Sequence, residues 1–241
     1  MKLAVSEITK SYKDKIVLKG ITFEMNKGQT VGILGPNGAG KTTLFYIIAG
    51  LLKCDEGKIT LADSEINHKS ISERTSLGLA YLPQESSIFK GLTVKENILS
   101  ALQQCRQISK SELNEELNLL LEEFKLQEFS ETLGVKLSGG ERRRTEIARA
   151  LALKPQFILL DEPFAGIDPI AVSDLKQTID QLNRKDIGVL ISDHNVRDTM
   201  NICSKVLVVN QGKIIADGEP SKIAQDSLVK EVYLGQDFQT N

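Results

Sequence analysis

A glycine-rich string at residues 35–43 is the part of this sequence whose composition points most directly to chemistry. It reads Gly-Pro-Asn-Gly-Ala-Gly-Lys-Thr-Thr and matches the pattern GxxxxGK[ST]. Glycines let a backbone approach a polyphosphate closely and adopt positive φ, so several N–H groups can converge on the anion. Lys41 adds a full charge near the β- and γ-phosphates, and the Thr42 hydroxyl suits Mg²⁺. The predicted ATP-binding residues are Gly35, Pro36, Asn37, Gly38, Ala39, Gly40, Lys41, Thr42 and Thr43.

The elements on either side of this string must present it to a ligand. Thr30–Leu34 is rich in β-branched and apolar residues, which predicts a strand. Thr42–Leu51 is apolar and long enough for a helix. A strand, loop and helix in this order bring the N-terminal amides and the positive end of the helix dipole to the phosphates. The alternative, a glycine-rich turn that matches the motif by chance, is disfavoured because the motif lies between a predicted strand and a predicted helix.

A second helix start that suits an anion is predicted at residues 137–144, which read Leu-Ser-Gly-Gly-Glu-Arg-Arg-Arg. Ser138 and Glu141 form a capping box, so the helix begins at Gly139 and Gly140 with free N–H groups exposed. Here the sequence resembles the ATP-binding cassette (ABC) family, whose signature is LSGGQ or LSGGE followed by a basic helix. The resemblance implies that Ser138, Gly139 and Gly140 face the γ-phosphate of an ATP held by another subunit.

Further positions resemble the catalytic elements of that family. Phe157–Leu160 is an unbroken apolar run, typical of a buried parallel strand, and Asp161 and Glu162 follow it. The resemblance implies that Asp161 holds Mg²⁺ through water and that Glu162 polarises the attacking water as general base. Gln84 resembles the Q-loop glutamine that touches Mg²⁺ and the lytic water. His194 resembles the switch histidine that contacts the γ-phosphate.

Two positions carry two interpretations each. Asp168 resembles the D-loop aspartate, and it also stands where an N-cap is expected before Pro169. Tyr12 resembles the aromatic residue that stacks on adenine, and the alternative is an ordinary surface tyrosine. His68, by contrast, is interpreted as structural or solvated.

The whole pattern predicts an α/β fold, a P-loop NTPase of ABC type. It has a mixed sheet core, an antiparallel β subdomain and an inserted α-helical subdomain. Residues 1–241 form a single ABC ATPase domain, with a RecA-like core at about 1–87 and 137–241 and the helical subdomain at about 88–136. Capping boxes at Thr93–Glu96 and Ser109–Glu112 predict two helices in the latter. Other predicted elements are strands Lys2–Ile8, Ile21–Met25, Lys58–Leu61, Leu79–Leu82 and Gly188–Ile191, helices Glu141–Leu153 and Ser221–Tyr233, and a hairpin of Lys205–Val209 with Lys213–Ala216.

Composition argues against several other classes of protein. With 41% hydrophobic and 26% charged residues the chain suits a soluble globular domain. The formal net charge of -2 gives no electrostatic reason to expect nucleic acid. Cys54, Cys105 and Cys203 form no CxxC pair, so reduced, packed thiols are expected. Neither a signal peptide nor an apolar run of the roughly 20 residues that span a bilayer is found, so membrane contact is expected only through partners.

Partner predictions follow from the resemblance. A composite ABC site takes the phosphate loop from one subunit and the signature from another, which implies a head-to-tail homodimer with two ATP. Residues 81–89, 138–144, 161–170, 192–197 and 232–238 resemble ATPases of bacterial lipopolysaccharide exporters, and Thr145, Ser192 and the last three residues depart from that branch. This resemblance implies that the chain binds two transmembrane permease subunits of the Lpt type. It also implies a location at the cytoplasmic face of the bacterial inner membrane. Ile88 and Phe89 are expected to be exposed and to grip the permeases' coupling helices; the alternative is packing within the helical segment.

Three alternative functions remain open. The ATPase of a branched-chain amino-acid importer shares much of this pattern, and the membrane subunits that co-purify would distinguish it. Non-transport ABC proteins carry two cassettes or a long coiled coil, and this sequence has neither. A cassette that only binds nucleotide would not need Glu162 and His194, and an assay of phosphate release would identify it.

Overall fold

The computed structural model describes residues 1–105, 107–166, 169–235 and 238. Its strands are β1 (Lys2–Tyr12), β2 (Lys15–Asn26), β3 (Thr30–Leu34), β4 (Glu56–Leu61), β5 (Ser64–Glu65), β6 (Leu79–Leu82), β7 (Phe157–Asp161), β8 (Gly188–Ser192), β9 (Lys205–Asn210) and β10 (Lys213–Gly218). Its helices are α1 (Lys41–Ala49), α2 (Ile71–Ser76), α3 (Val94–Leu102), α4 (Leu113–Glu123), α5 (Gly139–Leu151), α6 (Pro169–Arg184), α7 (Val196–Ile202), α8 (Pro220–Ile223) and α9 (Ser227–Val229).

These strands form two sheets. One is antiparallel, in the order β2-β1-β4-β5, and the other has six strands in the order β10-β9-β3-β8-β7-β6. In the larger sheet every neighbouring pair is parallel except β9 with β10. Strands β3, β7 and β8 are buried at every position, as expected for parallel strands covered on both faces. The predicted fold class is confirmed.

Apolar side chains cover both faces of the larger sheet. On one face Phe45 of α1 packs in a cluster with Leu3 and Met25 of the antiparallel sheet. On the other face Ile158 and Ile191 belong to a cluster that also contains residues of α3, α4 and α5. The phosphate loop therefore leaves the sheet between two packed layers, and its flanking strand and helix are both held in the core.

In the segment from residue 88 to 136 the described backbone forms helices, turns and irregular stretches, and its only strand-like pairing is an isolated bridge between Thr93 and Leu133. The capping box at Thr93 and Glu96 is present at the start of α3, as predicted. The division of the chain into a core and a helical subdomain stays a prediction. Ile88 is only 7% exposed and lies in the apolar cluster, so the expectation that it is exposed is wrong.

The second predicted capping box is wrong in its position. Ser109 donates from its N–H and its hydroxyl to the Glu112 carboxylate, but these two residues enclose a turn. Helix α4 then begins at Leu113, with Glu112 at the N-cap and no side-chain cap. The predicted apolar stripe is nevertheless present, because Leu117 and the following leucines of that face are buried.

Two short elements and the C-terminal helix differ from the prediction. The short β5 and α2 were not predicted. The single C-terminal helix predicted over Ser221–Tyr233 is wrong, because the chain forms α8, α9 and a π-turn at Lys230–Leu234. Asp226 has extended backbone angles, and its side chain accepts a hydrogen bond from the Val229 N–H. This N-cap starts a new helix and interrupts the previous one.

A buried arginine closes the far end of α1. Arg74 is 2% exposed and donates to four backbone carbonyls, those of Ile47, Ile48, Asn67 and Lys69, at 2.6–3.2 Å. Two of these carbonyls belong to the last turn of α1, where cations are favoured by the helix dipole. The contact ties the helix of the phosphate loop to the segment before α2.

We expect Arg74→Met to lower the free energy of unfolding by about 3 kcal/mol, because buried carbonyls lose their donors. For a chain of this size that corresponds to a melting temperature lower by about 6–12 °C. Thermal unfolding of the purified chain measures it. Arg197→Met, at an exposed arginine of α7, is the matched control. Equal melting temperatures for the two variants would contradict the role given to Arg74.

Candidate active site

The predicted phosphate loop connects β3 to α1 through three glycines with positive φ. These angles are 147° at Gly35, 78° at Gly38 and 107° at Gly40. A Cβ added to Gly35 would lie 2.0 Å from the Val209 carbonyl oxygen, and one added to Gly40 would lie 2.7 Å from Leu18 Cδ2. Packing against β9 and β2 therefore requires glycine at both ends of the loop. Beside Gly38 the space is open.

The cation of this loop is folded into it. Lys41 Nζ donates to the carbonyl oxygens of Gly35 at 2.6 Å and Pro36 at 3.1 Å. Burial lowers the pKa of Lys41, and the nearby Glu162 carboxylate opposes that shift. Lys41 is thus close enough to Glu162 for their charges to interact. The N-cap Gly40 supplies no side-chain cap to α1, so the first amides of the helix remain suited to an anion.

Asp161, the last residue of β7, is buried beside a tyrosine that sequence analysis did not identify. Tyr81 of β6 donates its hydroxyl to Asp161 Oδ2 at 3.1 Å. Burial raises the pKa of Asp161, and the hydrogen bond from Tyr81 opposes that shift. Tyr81 pairs with Leu159, two positions before Asp161 and therefore on the same face of the sheet. The sequence did contain a signal for this contact, namely a polar aromatic residue within a strand that is otherwise apolar.

Three residues predicted to be catalytic meet at one carboxylate. Glu162 Oε2 accepts a hydrogen bond from Gln84 Nε2 at 2.7 Å, and Glu162 Oε1 lies 2.7 Å from His194 Nε2. Glu162 has φ of 45°, an uncommon angle for this residue type, and its N–H donates to the Ser192 carbonyl at 2.7 Å. Such backbone angles concentrate at functional sites, where the surroundings hold them in place.

Behind these residues lies Asp193, a buried carboxylate that sequence analysis did not assign to the site. It accepts hydrogen bonds from the N–H groups of Phe164 at 2.8 Å and Asn195 at 2.7 Å. Burial raises the pKa of Asp193, and hydrogen bonds from backbone amides, including that of His194, oppose the shift. Asp193 thereby connects the turns that follow β7 and β8. An acidic residue directly after a buried strand was the signal for it.

The predicted second anion site is an exposed helix start. Ser138 accepts from the Glu141 N–H at 3.3 Å, and the Glu141 carboxylate accepts from the Ser138 N–H at 2.8 Å, which completes the capping box. Helix α5 begins at Gly139, as the capping box predicts, which is two residues before the bound of Glu141 given for the predicted helix. A Cβ on Gly139 would meet no atom within 4 Å, and one on Gly140 only the Arg144 side chain at 3.8 Å. The packing of a single chain therefore does not require these glycines.

The remaining predicted positions have different outcomes. Tyr12 is exposed at the end of β1, with Lys10 Nζ 5.7 Å from the centre of its ring. Asp168 lies outside the described residues, so neither of its interpretations is tested.

Tyr233 of the C-terminal π-turn is a further neighbour of the phosphate loop. Burial raises its pKa, and a hydrogen bond from the Gly35 amide opposes that shift.

The donor set fits the magnesium ion that the sequence predicts. Among the described residues no group of three His, Cys, Asp or Glu side chains is arranged to hold a metal. Mg²⁺ at nucleotide sites is usually held by one or two protein groups together with phosphates and water. The Thr42 hydroxyl, the Gln84 amide and the Asp161 carboxylate offer oxygens of the required kind. These three residues would hold a magnesium ion that arrives with the nucleotide.

Comparison with known proteins gives the class. A sequence model of the family described as "ABC transporter" matches residues 18–165. The chain belongs to the ABC transporter family, and its activity is ATP hydrolysis coupled to transport. Members of this kind bind nucleotide and work with transmembrane partners. Among the described helices, none combines the length and the apolar character that a membrane span needs.

One curated relative and two solved structures are particularly informative. The chain is 48% identical over 236 residues to the lipopolysaccharide export system ATP-binding protein LptB of Haemophilus influenzae, covering 98% of both chains. A crystal structure of the ADP conformation of an ATP-binding cassette of an ABC transporter is 31% identical, with a TM-score of 0.86 over 98% of this chain and 100% of that one. A dimeric cassette in a post-hydrolysis state, bound to ADP and Pi, is 25% identical, with a TM-score of 0.77 over 90% and 98%.

Proposed function

We propose that this chain is the ATP-hydrolysing subunit of a lipopolysaccharide exporter. Two copies would bind two transmembrane permease subunits of the Lpt type at the cytoplasmic face of a bacterial inner membrane. The observation that carries this proposal is the 48% identity, over 98% of both chains, to a lipopolysaccharide export ATPase. The amino-acid importer alternative finds no support among the relatives named above.

Binding of ATP is assigned to the phosphate loop. The amides of the loop and of the first turn of α1 surround the phosphates, and Gly38 leaves room for them. Lys41 exchanges its carbonyl partners in the loop for phosphate oxygens, which carry full negative charge. Tyr12, exposed at the end of β1, is assigned to the adenine ring.

Hydrolysis is assigned to Glu162 and the residues that contact it. Its carboxylate lies in the turn after β7, where it can polarise a water for in-line attack on the γ-phosphorus. Gln84 and His194 each contact one carboxylate oxygen, so they orient it and can turn toward the water and the γ-phosphate. When bound, Mg²⁺ neutralises charge that develops on the phosphates. Asp161, Thr42 and Gln84 are the residues that would hold it.

A homodimer is proposed because each chain carries two separate halves of a site. Among the described residues no hydrogen bond joins Ser138–Glu141 to the phosphate loop. The signature glycines have room on the side where a Cβ would stand, and as the first two residues of α5 their amides have no carbonyl partner within the helix, so they suit a phosphate held by a second copy. A cassette that is 25% identical to this chain was solved as a dimer, which supports a dimer here.

The permease interface is proposed at a groove of about 600 Å³ beside the Q-loop. It lies between α2 and β6 on one side and α3 and α5 on the other, and we assign residues 88–136 to a helical subdomain that forms its outer wall. Phe89 lines the groove with 53% of its surface exposed, and the Arg149 guanidinium lies 5.0 Å from its ring. An exposed aromatic side chain in a groove is a typical anchor for a partner helix.

We expect Phe89→Ala to raise Kd for the permease subunits at least about 30-fold and so to reduce recovery of the complex, because loss of an aromatic anchor costs about 2 kcal/mol or more. Co-purification from detergent-solubilised membranes measures this. Leu119→Ala, at an equally exposed residue of α4, is the control. Intact complex formation by the Phe89 variant would exclude this residue as an anchor.

The transport function is tested in proteoliposomes. Reconstituted with lipopolysaccharide-export permeases, the chain should drive ATP-dependent release of lipopolysaccharide to an acceptor. If it assembles only with the permeases of an amino-acid importer, the proposed substrate is wrong, although the assigned ATPase chemistry is unaffected.

A further inference from the structure

A buried carboxylate of α5 contacts the loop that follows Gln84. Glu146 has a side chain that is only 5% exposed, and it lies two turns after the start of the signature helix. Its Oε1 accepts hydrogen bonds from the Ser86 hydroxyl at 2.7 Å and from the Ser87 N–H at 2.9 Å. Because Ser86 is two residues from Gln84, Glu146 attaches the loop that carries this amide to the rigid helix α5.

The same carboxylate is paired with an arginine one turn earlier on the same helix. Arg143 Nη1 donates to Glu146 Oε2 at 3.3 Å, and 16% of the Arg143 side chain is exposed. Burial lowers the pKa of Arg143, and the carboxylates of Glu146 and Asp193 oppose that shift.

Two sets of contacts thus hold the Gln84 loop. The first is direct and runs through the Glu162 carboxylate. The second is a partly buried row of side chains: Ser86, Glu146 and Arg143. It also reaches the groove, because Arg149 donates to the Ser87 hydroxyl at 2.8 Å and lies over the Phe89 ring.

The energetics of this row indicate positioning rather than stability. Arg143 Nε and Nη2 are buried and have no hydrogen-bond partner among the described residues. A buried ion pair with incomplete partners is often no more stabilising than apolar side chains of similar volume. What such a pair supplies is a defined orientation of the groups it contacts.

We propose that Glu146, oriented by Arg143, is a positioning residue that holds the Gln84 loop in place beside Glu162. This inference rests on the proposed catalytic roles of Gln84 and Glu162. Neither Glu146 nor Arg143 contacts Glu162 through a hydrogen bond in the described structure, so both act through other residues.

The test is a double-mutant cycle in steady-state ATPase activity of the full chain. Glu146→Gln should lower kcat about 10-fold and Ser86→Ala about threefold, with KM for ATP changed less than about twofold. If Glu146 acts through Ser86, the double variant should stay near 10-fold, whereas independent effects would multiply to about 30-fold. Multiplication to that level overturns the proposal.

A second variant separates positioning from folding. Replacing both members of the pair, Arg143→Met with Glu146→Met, removes the charges but keeps apolar volume, so thermal stability should be retained. We expect its kcat to fall at least about 10-fold all the same. Retained stability with unchanged kcat would refute the positioning role.

Two control variants distinguish a failure of the positioning inference from a failure of the catalytic assignment. Glu116→Gln breaks the 2.8 Å ion pair with Lys154, far from the site, and should leave kcat unchanged. Glu162→Gln reports on the proposed catalysis alone. If the Glu162 variant is inactive and the effects of Glu146→Gln and Ser86→Ala multiply, the positioning inference is wrong and the catalytic assignment stands. If the Glu162 variant turns over normally, the catalytic assignment itself is wrong.

Discussion

Glu162→Gln is expected to lower ATP turnover by about 10²- to 10⁴-fold, the usual contribution of a positioned general base. The substitution keeps the size and planar shape of the side chain but removes its ability to accept a proton. The phosphate loop and the signature are untouched, so ATP should still bind. A closed dimer that cannot hydrolyse ATP should accumulate.

Two measurements check this expectation. Phosphate release gives kcat, and size-exclusion chromatography with ATP and Mg²⁺ shows whether a nucleotide-bound dimer is trapped. Glu128→Gln, at an exposed carboxylate of the helical segment, controls for a simple loss of charge. A Glu162 variant with normal turnover and no trapped dimer would rule out this residue as the base.

Lys41→Ala has the second large expected effect, the loss of ATP binding. The ammonium group is held within the loop by two carbonyl oxygens, so it is already in place for a phosphate. Removing one partner of a buried charged contact costs about 2–5 kcal/mol, so Kd for ATP should rise at least about 30-fold.

Calorimetric titration with a non-hydrolysable ATP analogue measures the change in Kd. Lys53→Ala is the matched control, because this exposed lysine follows the opposite end of α1. A melting curve verifies that the loop variant is folded. Nucleotide affinity that survives in a folded Lys41 variant would show that the phosphates bind elsewhere.

Features that depend on neighbouring residues could be predicted. The strand before the phosphate loop ends at Leu34, as expected, and the capping boxes at Thr93 and Ser138 are present. These depend on side chains within about four positions of each other. The box at Ser109 was misplaced because a serine and a glutamate at that spacing also stabilise an isolated turn.

Burial and long-range contacts could not be predicted in the same way. Ile88 and Phe89 are adjacent and both apolar, yet one lies in the core and the other is exposed. Tyr81 reaches Asp161 because β6 and β7 are parallel neighbours in a particular register. Neither strand carries a local signal of that pairing, since register depends on which face of each strand is covered.

The local sequence at residues 35–43 accounts for a loop shaped to bind phosphate, because glycine conformations and a helix start are properties of a few consecutive residues. Only the folded chain brings Gln84 and Glu162, 78 positions apart, to a hydrogen bond of 2.7 Å, with His194 on the other oxygen. It also leaves the signature glycines facing open space. These features depend on how strands and helices pack, because contacts between distant residues follow from the order and register of strands in the sheet.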